Sequence, residues 1–99
     1  MRRESLEKLW DAWERLKTVE GGKDKKAQTK NLLDKAASAE MRERLEAEAL
    51  ELTEIGNRFM IRHTETDKVP ITDLGHVDYL FHRMFSLIEL LLKKSGRAG

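Results

Sequence analysis

The stretch Val77-Asp78-Tyr79-Leu80-Phe81-His82-Arg83-Met84-Phe85-Ser86-Leu87-Ile88-Glu89-Leu90-Leu91-Leu92 decides the fold. Its apolar residues recur every three or four positions, which is the period of an α-helix. They also wrap further round that helix than one core-facing stripe requires. Such a helix is either the centre of a bundle or turns one side to a second subunit. Phe81, Phe85, Ile88 and Leu91 are the residues expected at that subunit contact. The helix should start near Asp73 and end before Gly96. Its most apolar stretch, Tyr79 to Leu92, is interrupted by His82, Arg83 and Glu89 and is too short to span a bilayer.

Working outward, the same period runs back through Met41, Leu45, Ala49, Leu52, Ile55, Phe59 and Met60, with Ser38 as a cap for that helix. Gly56 falls on or near its apolar stripe. Glycine inside a helix costs roughly 1 kcal/mol relative to alanine, so a close approach by another helix is the expected compensation. The helix should end in Thr64-Glu65-Thr66-Asp67, whose side chains compete for backbone hydrogen bonds. Val69-Pro70 marks a loop, because proline disfavours helical geometry in the residue before it. Nearer the start, Leu6, Leu9, Trp10, Trp13 and Leu16 form one face of a helix from Ser5 to about Thr18. Gly21-Gly22 stop it, a basic turn follows (Lys23, Lys25, Lys26), and a short helix carries Leu32, Leu33, Ala36 and Ala37. No β pattern, repeat or low-complexity tract breaks this reading. An all-α, up-and-down bundle of about four helices in one domain, residues 1–99, is expected.

Composition narrows the function. With 39% hydrophobic and 37% charged residues, the core must be built from narrow stripes on wet helices. The 19 basic and 18 acidic residues nearly cancel, so any polyanion site has to be local. The absence of cysteine excludes disulfides, thiolate metal sites and cysteine nucleophiles. His76 and His82 stand six apart, which is not metal-ligand spacing, and no metal or other cofactor is expected. The opening Met1-Arg2-Arg3-Glu4-Ser5 has no signal-peptide apolar region, so a cytoplasmic protein without a membrane partner is expected.

The segment Asn57-Arg58-Phe59-Met60-Ile61-Arg62-His63 carries the functional signal. Arginine, four residues and histidine at the end of one helix, before a polar loop and a last apolar helix, resemble the ribonuclease motif of HEPN domains. From Ile55 to Leu92 the chain is similar to the C-terminal part of bacterial abortive-infection proteins. The resemblance rests on Ile61-Arg62-His63, the Thr64-Glu65-Thr66-Asp67-Lys68 loop and His76-Val77-Asp78-Tyr79-Leu80-Phe81. It implies a small helical bundle acting as a metal-independent endoribonuclease. It also implies a homodimer that joins two motifs into one RNA-cleaving site, with a toxin or phage-defence role and a cognate antitoxin as a further partner. Arg58 and His63 would be catalytic, supported by Asn57, Arg62, Thr64 and Glu65. Many members place a polar residue directly after the arginine; here Phe59 stands there, which makes Arg62 a second candidate for the cationic role.

The chemistry suits these residue types. Cleaving RNA through its own 2′-hydroxyl needs a base for that proton and an acid for the leaving 5′-oxygen, and histidine can serve as either. A guanidinium can stabilise the charge that gathers on phosphorus oxygens. In an uninterrupted helix, however, residues five apart sit about 140° from each other around the axis. Arg58 and His63 converge only if the helix loosens near His63 or a partner subunit completes the site, whereas Arg58 and Arg62 share a face.

Plainer explanations exist for each residue. Glu54, Arg58 and Arg62 would make an i,i+4 surface ladder, and His63 a helix-end histidine favoured by the dipole. Lys23, Lys25 and Lys26 are candidate RNA-phosphate contacts or simply a solvated turn. Trp10 and Trp13 are core or interface before they are base-stacking platforms. The rival to the enzyme is a non-catalytic helical association or RNA-binding module from a larger defence protein.

Overall fold

Most of the broad apolar face of the last helix is used up within the chain itself, and Leu74, Tyr79 and Phe85 stay exposed. The computed structural model describes residues 2–97, which form four α-helices: α1 (Arg2–Leu16), α2 (Lys25–Ala36), α3 (Ala39–Arg58) and α4 (Leu74–Lys94). The fold is the all-α bundle that the sequence predicts. Helix α4 starts where its side-chain cap dictates, with Asp73 Oδ1 accepting from the backbone N–H of Gly75 at 2.6 Å and of His76 at 3.3 Å. Its Val77, Leu80, Met84, Leu87, Ile88 and Leu91 are buried, and it packs against both α1 and α2. Arg83 ties it to α3 through paired hydrogen bonds to Glu48, Nε to Oε2 at 2.8 Å and Nη2 to Oε1 at 2.7 Å. Helix α4 is therefore the central element.

That position corrects half of the expected subunit contact. Ile88 and Leu91 are buried in this chain's own core and are not available to a second copy. Phe81 is half-buried against the core, and Phe85 is exposed. Their rings stack 6.0 Å apart with planes 10° from parallel.

Helix α1 is longer at its start than expected: it begins at Arg2, so Ser5 lies inside it and is not its cap. Arg2, Arg3 and Glu4 all extend a helix readily, and Glu4 in the first turn suits the dipole. It ends at Leu16 because the chain tightens into i→i+3 turns, Thr18 N to Arg15 O and Val19 N to Leu16 O, both 3.2 Å. Leu6, Trp10, Trp13 and Leu16 are all buried, which makes both tryptophans core residues.

The glycine on the α3 stripe has the expected cause. A Cβ at Gly56 would lie 2.3 Å from Trp10 Nε1 and 2.9 Å from its Cδ1, so the indole of α1 lies directly on the α3 backbone. Among the described residues no acceptor reaches the buried Trp10 N–H. Trp13, one turn on, instead donates Nε1–H to Thr53 Oγ1 at 3.3 Å.

Lys25 and Lys26 form the first turn of α2, not a turn before it, since Asp24 caps that helix by accepting from Ala27 N at 2.8 Å. Only Ala37 and Ser38 separate α2 from α3. That tight corner holds Ala39 at φ 53°, a left-handed conformation that costs a residue with a Cβ on the order of 1 kcal/mol. Ser38 occupies the cap position of α3 but its side chain makes no cap hydrogen bond.

Candidate functional site

Helix α3 ends at Arg58, well before Thr64, and the motif is divided at that point. Phe59 is extended (φ −102°, ψ 151°) and pairs with Val69 in an isolated parallel β-bridge. Val69 N–H donates to Arg58 O at 3.0 Å, and Met60 N–H donates to Val69 O at 2.7 Å. Pro70 favours the extended geometry of Val69. Phe59 and Ile61 turn toward the core while Ile61 and Ile71 are buried on either side of the closed loop. Two-residue alternation thus replaces helical period at Phe59, an early loosening that the charged helix text had hidden.

The loop is held by Glu65, Arg62 and Lys68. Glu65 Oε1 accepts from the Arg62 backbone N–H at 2.9 Å; its Oε2 accepts from Lys68 Nζ at 2.8 Å and Arg62 Nη1 at 3.3 Å. Lys68 Nζ also donates to Gly56 O at 3.0 Å, satisfying a carbonyl in the last turn of α3. Arg62 reaches across to α1, where Asp11 Oδ1 accepts from its Nε at 3.0 Å and also from its Nη2. Burial alone would push the Glu65 carboxyl up. The hydrogen bonds from Lys68 and the Arg62 backbone outweigh it and hold the group below its ordinary range. The Asp11 hydrogen bond raises the Arg62 guanidinium further above its already high value.

This network sorts the expected site residues. Arg62 and Glu65 are loop-fastening residues, and Arg62 neither lies on α3 nor shares a helical face with Arg58. The surface ladder Glu54–Arg58–Arg62 therefore does not form, and His63 is not a helix-end residue. Arg58 is exposed, and among the described residues nothing pairs with its guanidinium. His63 is 83% exposed by side chain, its Nδ1 3.7 Å from Glu7 Oε2, an ion pair when the ring is protonated. Thr64 is exposed as well. Glu7 and Asp11, four apart on α1, form an acidic edge alongside Arg62 and His63. Their i,i+4 spacing was the available signal for that edge, but nothing local in the sequence says what it faces.

Asn57 takes no part in the loop network and instead lines a cleft of about 640 Å3 among α1, α2 and α3. Lys25 and Lys26 border the same cleft, whereas Lys23 is exposed outside it. Lys17 is buried at the cleft wall, its Nζ 2.8 Å from Glu14 Oε2, donating to Thr53 Oγ1 at 3.3 Å and lying 5.3 Å from the Trp13 ring centre. Lys25 binds the other oxygen of Glu14 at 2.7 Å. Burial would raise the Glu14 carboxyl, but the two lysines hold it below its usual range. Lys17 continues the stripe Leu6, Trp10, Trp13, and a lysine in that position was the one sequence sign of this wall.

Comparison with family models, curated proteins and solved structures finds no match to this chain. Among the described residues no helix is long and apolar enough to cross a membrane.

Proposed function

We propose that this chain is a metal-independent endoribonuclease of HEPN type, a cytoplasmic toxin or abortive-infection effector that acts as a homodimer. One observation carries the reading. The loop network takes up Arg62 and Glu65 but leaves Arg58 and His63 exposed, and those are the two residues the cleavage motif requires.

In this reading His63 moves the proton at the 2′-hydroxyl or the 5′-oxygen, and Arg58 holds the scissile phosphate. Arg62 and Glu65 are positioning residues, because they fix the backbone that presents His63. Thr64 supplies a neutral hydrogen-bonding group next to His63, and Asn57 in the cleft, with Lys23, Lys25 and Lys26, extends the path for the RNA backbone. A second copy brings a second Arg58 and His63, with Phe85 and Phe81 as its surface contact.

The acidic edge of α1 favours a second reading. Glu7 and Asp11 put negative charge beside His63, which opposes an approaching phosphate. A non-catalytic association module of a larger defence protein suits that charge better.

A cleavage assay on total RNA and transfer RNA in EDTA separates the two. The ribonuclease reading expects cleavage by wild type that vanishes in His63→Ala and Arg58→Ala, each with an unchanged circular dichroism spectrum. Equal cleavage patterns from all three proteins would sink it, and no cleavage by any of them would favour the module.

A further inference from the structure

We propose that the cleft among α1, α2 and α3 docks an acidic peptide segment of a partner protein, one that carries a bulky aliphatic side chain between carboxylates. The proposal stands whether or not Arg58 and His63 cleave RNA, and in it Lys25 and Lys26 meet carboxylates in place of the RNA phosphates of that reading.

The charge of the cleft comes first. Its cations are Lys17, Lys25, Lys26 and Lys30, and its anions are Glu14 and Glu46. Glu14 is shared between Lys17 and Lys25, and Glu46 is engaged by Arg42. Among the described residues no ion pair or side-chain hydrogen bond holds the ammonium of Lys26 or Lys30. The cleft therefore has a positive surplus on a chain whose net charge is only +1.

The wall selects the body of the ligand. Leu50 provides an aliphatic surface above the buried Leu33 and Ala49: it is 61% exposed, and among the described residues nothing covers it. The one aromatic residue of the wall, Trp13, is 0% exposed, with Lys17 Nζ near its ring. A nucleic-acid base would have no open ring to stack on, which is the usual platform for single strands. All four cations are lysines, point charges that bind carboxylate and phosphate alike, so the choice between them falls to the wall. An aliphatic anchor with carboxylates fits this wall and rim, and a cleft of this size lies within the range of roughly 300–1,000 Å3 that takes small ligands or an anchoring side chain.

Spacing completes the match. Lys26 and Lys30 are four apart on α2, hence about 6 Å along one helix face. Carboxylates four apart on a helical segment are likewise separated by about 6 Å. An aliphatic residue three positions after the first of them shares their face and so enters the same cleft that Leu50 lines.

Selection from random peptides displayed on phage, using the full chain as bait, tests this without a known partner. Synthetic copies of the enriched peptides are then titrated against wild type, Lys26→Glu/Lys30→Glu and Leu50→Asn. All three replaced residues are exposed, and circular dichroism checks the fold of each variant. Enriched peptides should share paired acidic residues flanking Leu, Ile or Val. Each variant should weaken their binding by about tenfold. Absence of enrichment, enriched peptides without acidic residues, or binding unaffected by the lysine reversal would overturn the proposal. Loss in the lysine variant with full binding in Leu50→Asn would also overturn it, and would assign the cleft to polyanions such as single-stranded RNA.

Discussion

The contact of α1 with α3 and the loop of residues 59–69 are joined at Gly56 yet are held by opposite means. On one side of that glycine the Trp10 indole presses on the backbone, fully buried, with its own N–H unpartnered among the described residues. On the other side the Gly56 carbonyl accepts from Lys68, at the edge of a partly wet network of Glu65, Arg62 and Asp11. The first contact is steric and tolerates almost no change in volume. The second is a set of charge-assisted hydrogen bonds in which each member is individually replaceable at modest cost. Exposed chemistry hangs between the two: the packed side fixes the end of α3, and the polar side holds a loop in shape while keeping Arg58 and His63 open to solvent.

The largest expected effect breaks the packed side. Gly56→Ala gains about 1 kcal/mol of helix propensity but drives a methyl into the Trp10 ring, an overpacking that costs up to about 3 kcal/mol. With Nε1 only 2.3 Å from the new carbon and Trp10 buried, the clash should win. The net loss should be about 2 kcal/mol, a fall in Tm on the order of 10 °C for a domain this size. A thermal melt that leaves Tm unchanged or raised would show that the indole can move, and that the two sides of Gly56 are not so different.

Arg62→Ala should cost less, about 1 kcal/mol, because Arg62 and Asp11 are both partly exposed and Asp11 can return to water. Its signature should be local. Hydrogen exchange at the Met60 and Val69 amides, which form the bridge, should accelerate while the amides of α4 keep their protection. Uniform acceleration across the chain would mean that the loop and the core open as one unit.

These two sites also show what could be read from sequence. Gly56 stood out because a glycine in an apolar stripe has few explanations, and a close neighbour is the commonest. The central helix was legible for the same reason: period and breadth of apolar residues are local properties of the chain. The end of α3 was not legible, because Arg58-Phe59-Met60-Ile61-Arg62 satisfies a helical period and a strand-like alternation equally well. What decides it is the distant Val69, whose N–H and C=O take over the pairing. The role of Arg62 was hidden likewise, since its partner Asp11 lies 51 residues away on α1. Of the motif, the sequence supplied the residue types, and tertiary contacts alone sorted them into fastened and open.

Acid should loosen the polar side before the packed one. Glu65 has a folded-state pKa below its ordinary 4.5, so its ionised form stabilises the folded chain. That contribution is present above the unfolded value and is lost as pH falls through the folded one. Wild type should therefore exceed Glu65→Gln in Tm near neutrality, and the gap should narrow as pH drops below about 4.5. A gap that stays constant through that window would assign the loop's stability to packing of Ile61 and Ile71 instead of its charges.

The smallest effect on stability should come from the residues of greatest functional interest. Arg58 makes no side-chain pair among the described residues, and His63 has only the 3.7 Å approach to Glu7 on a largely exposed ring. Substituting either by alanine should move the unfolding free energy by no more than about 0.5 kcal/mol, as for ordinary surface positions. That silence makes them useful probes, because any loss of RNA cleavage in Arg58→Ala or His63→Ala is then a loss of chemistry or binding and not of fold. Glu7→Gln sharpens the point. If the acidic edge of α1 repels phosphate, removing one carboxylate should strengthen RNA binding in a filter-retention assay at low salt, and the gain should fade as salt rises. Unchanged retention in Glu7→Gln would mean that RNA does not approach His63 from that edge, and the contest between the two functional readings would then turn on Arg58.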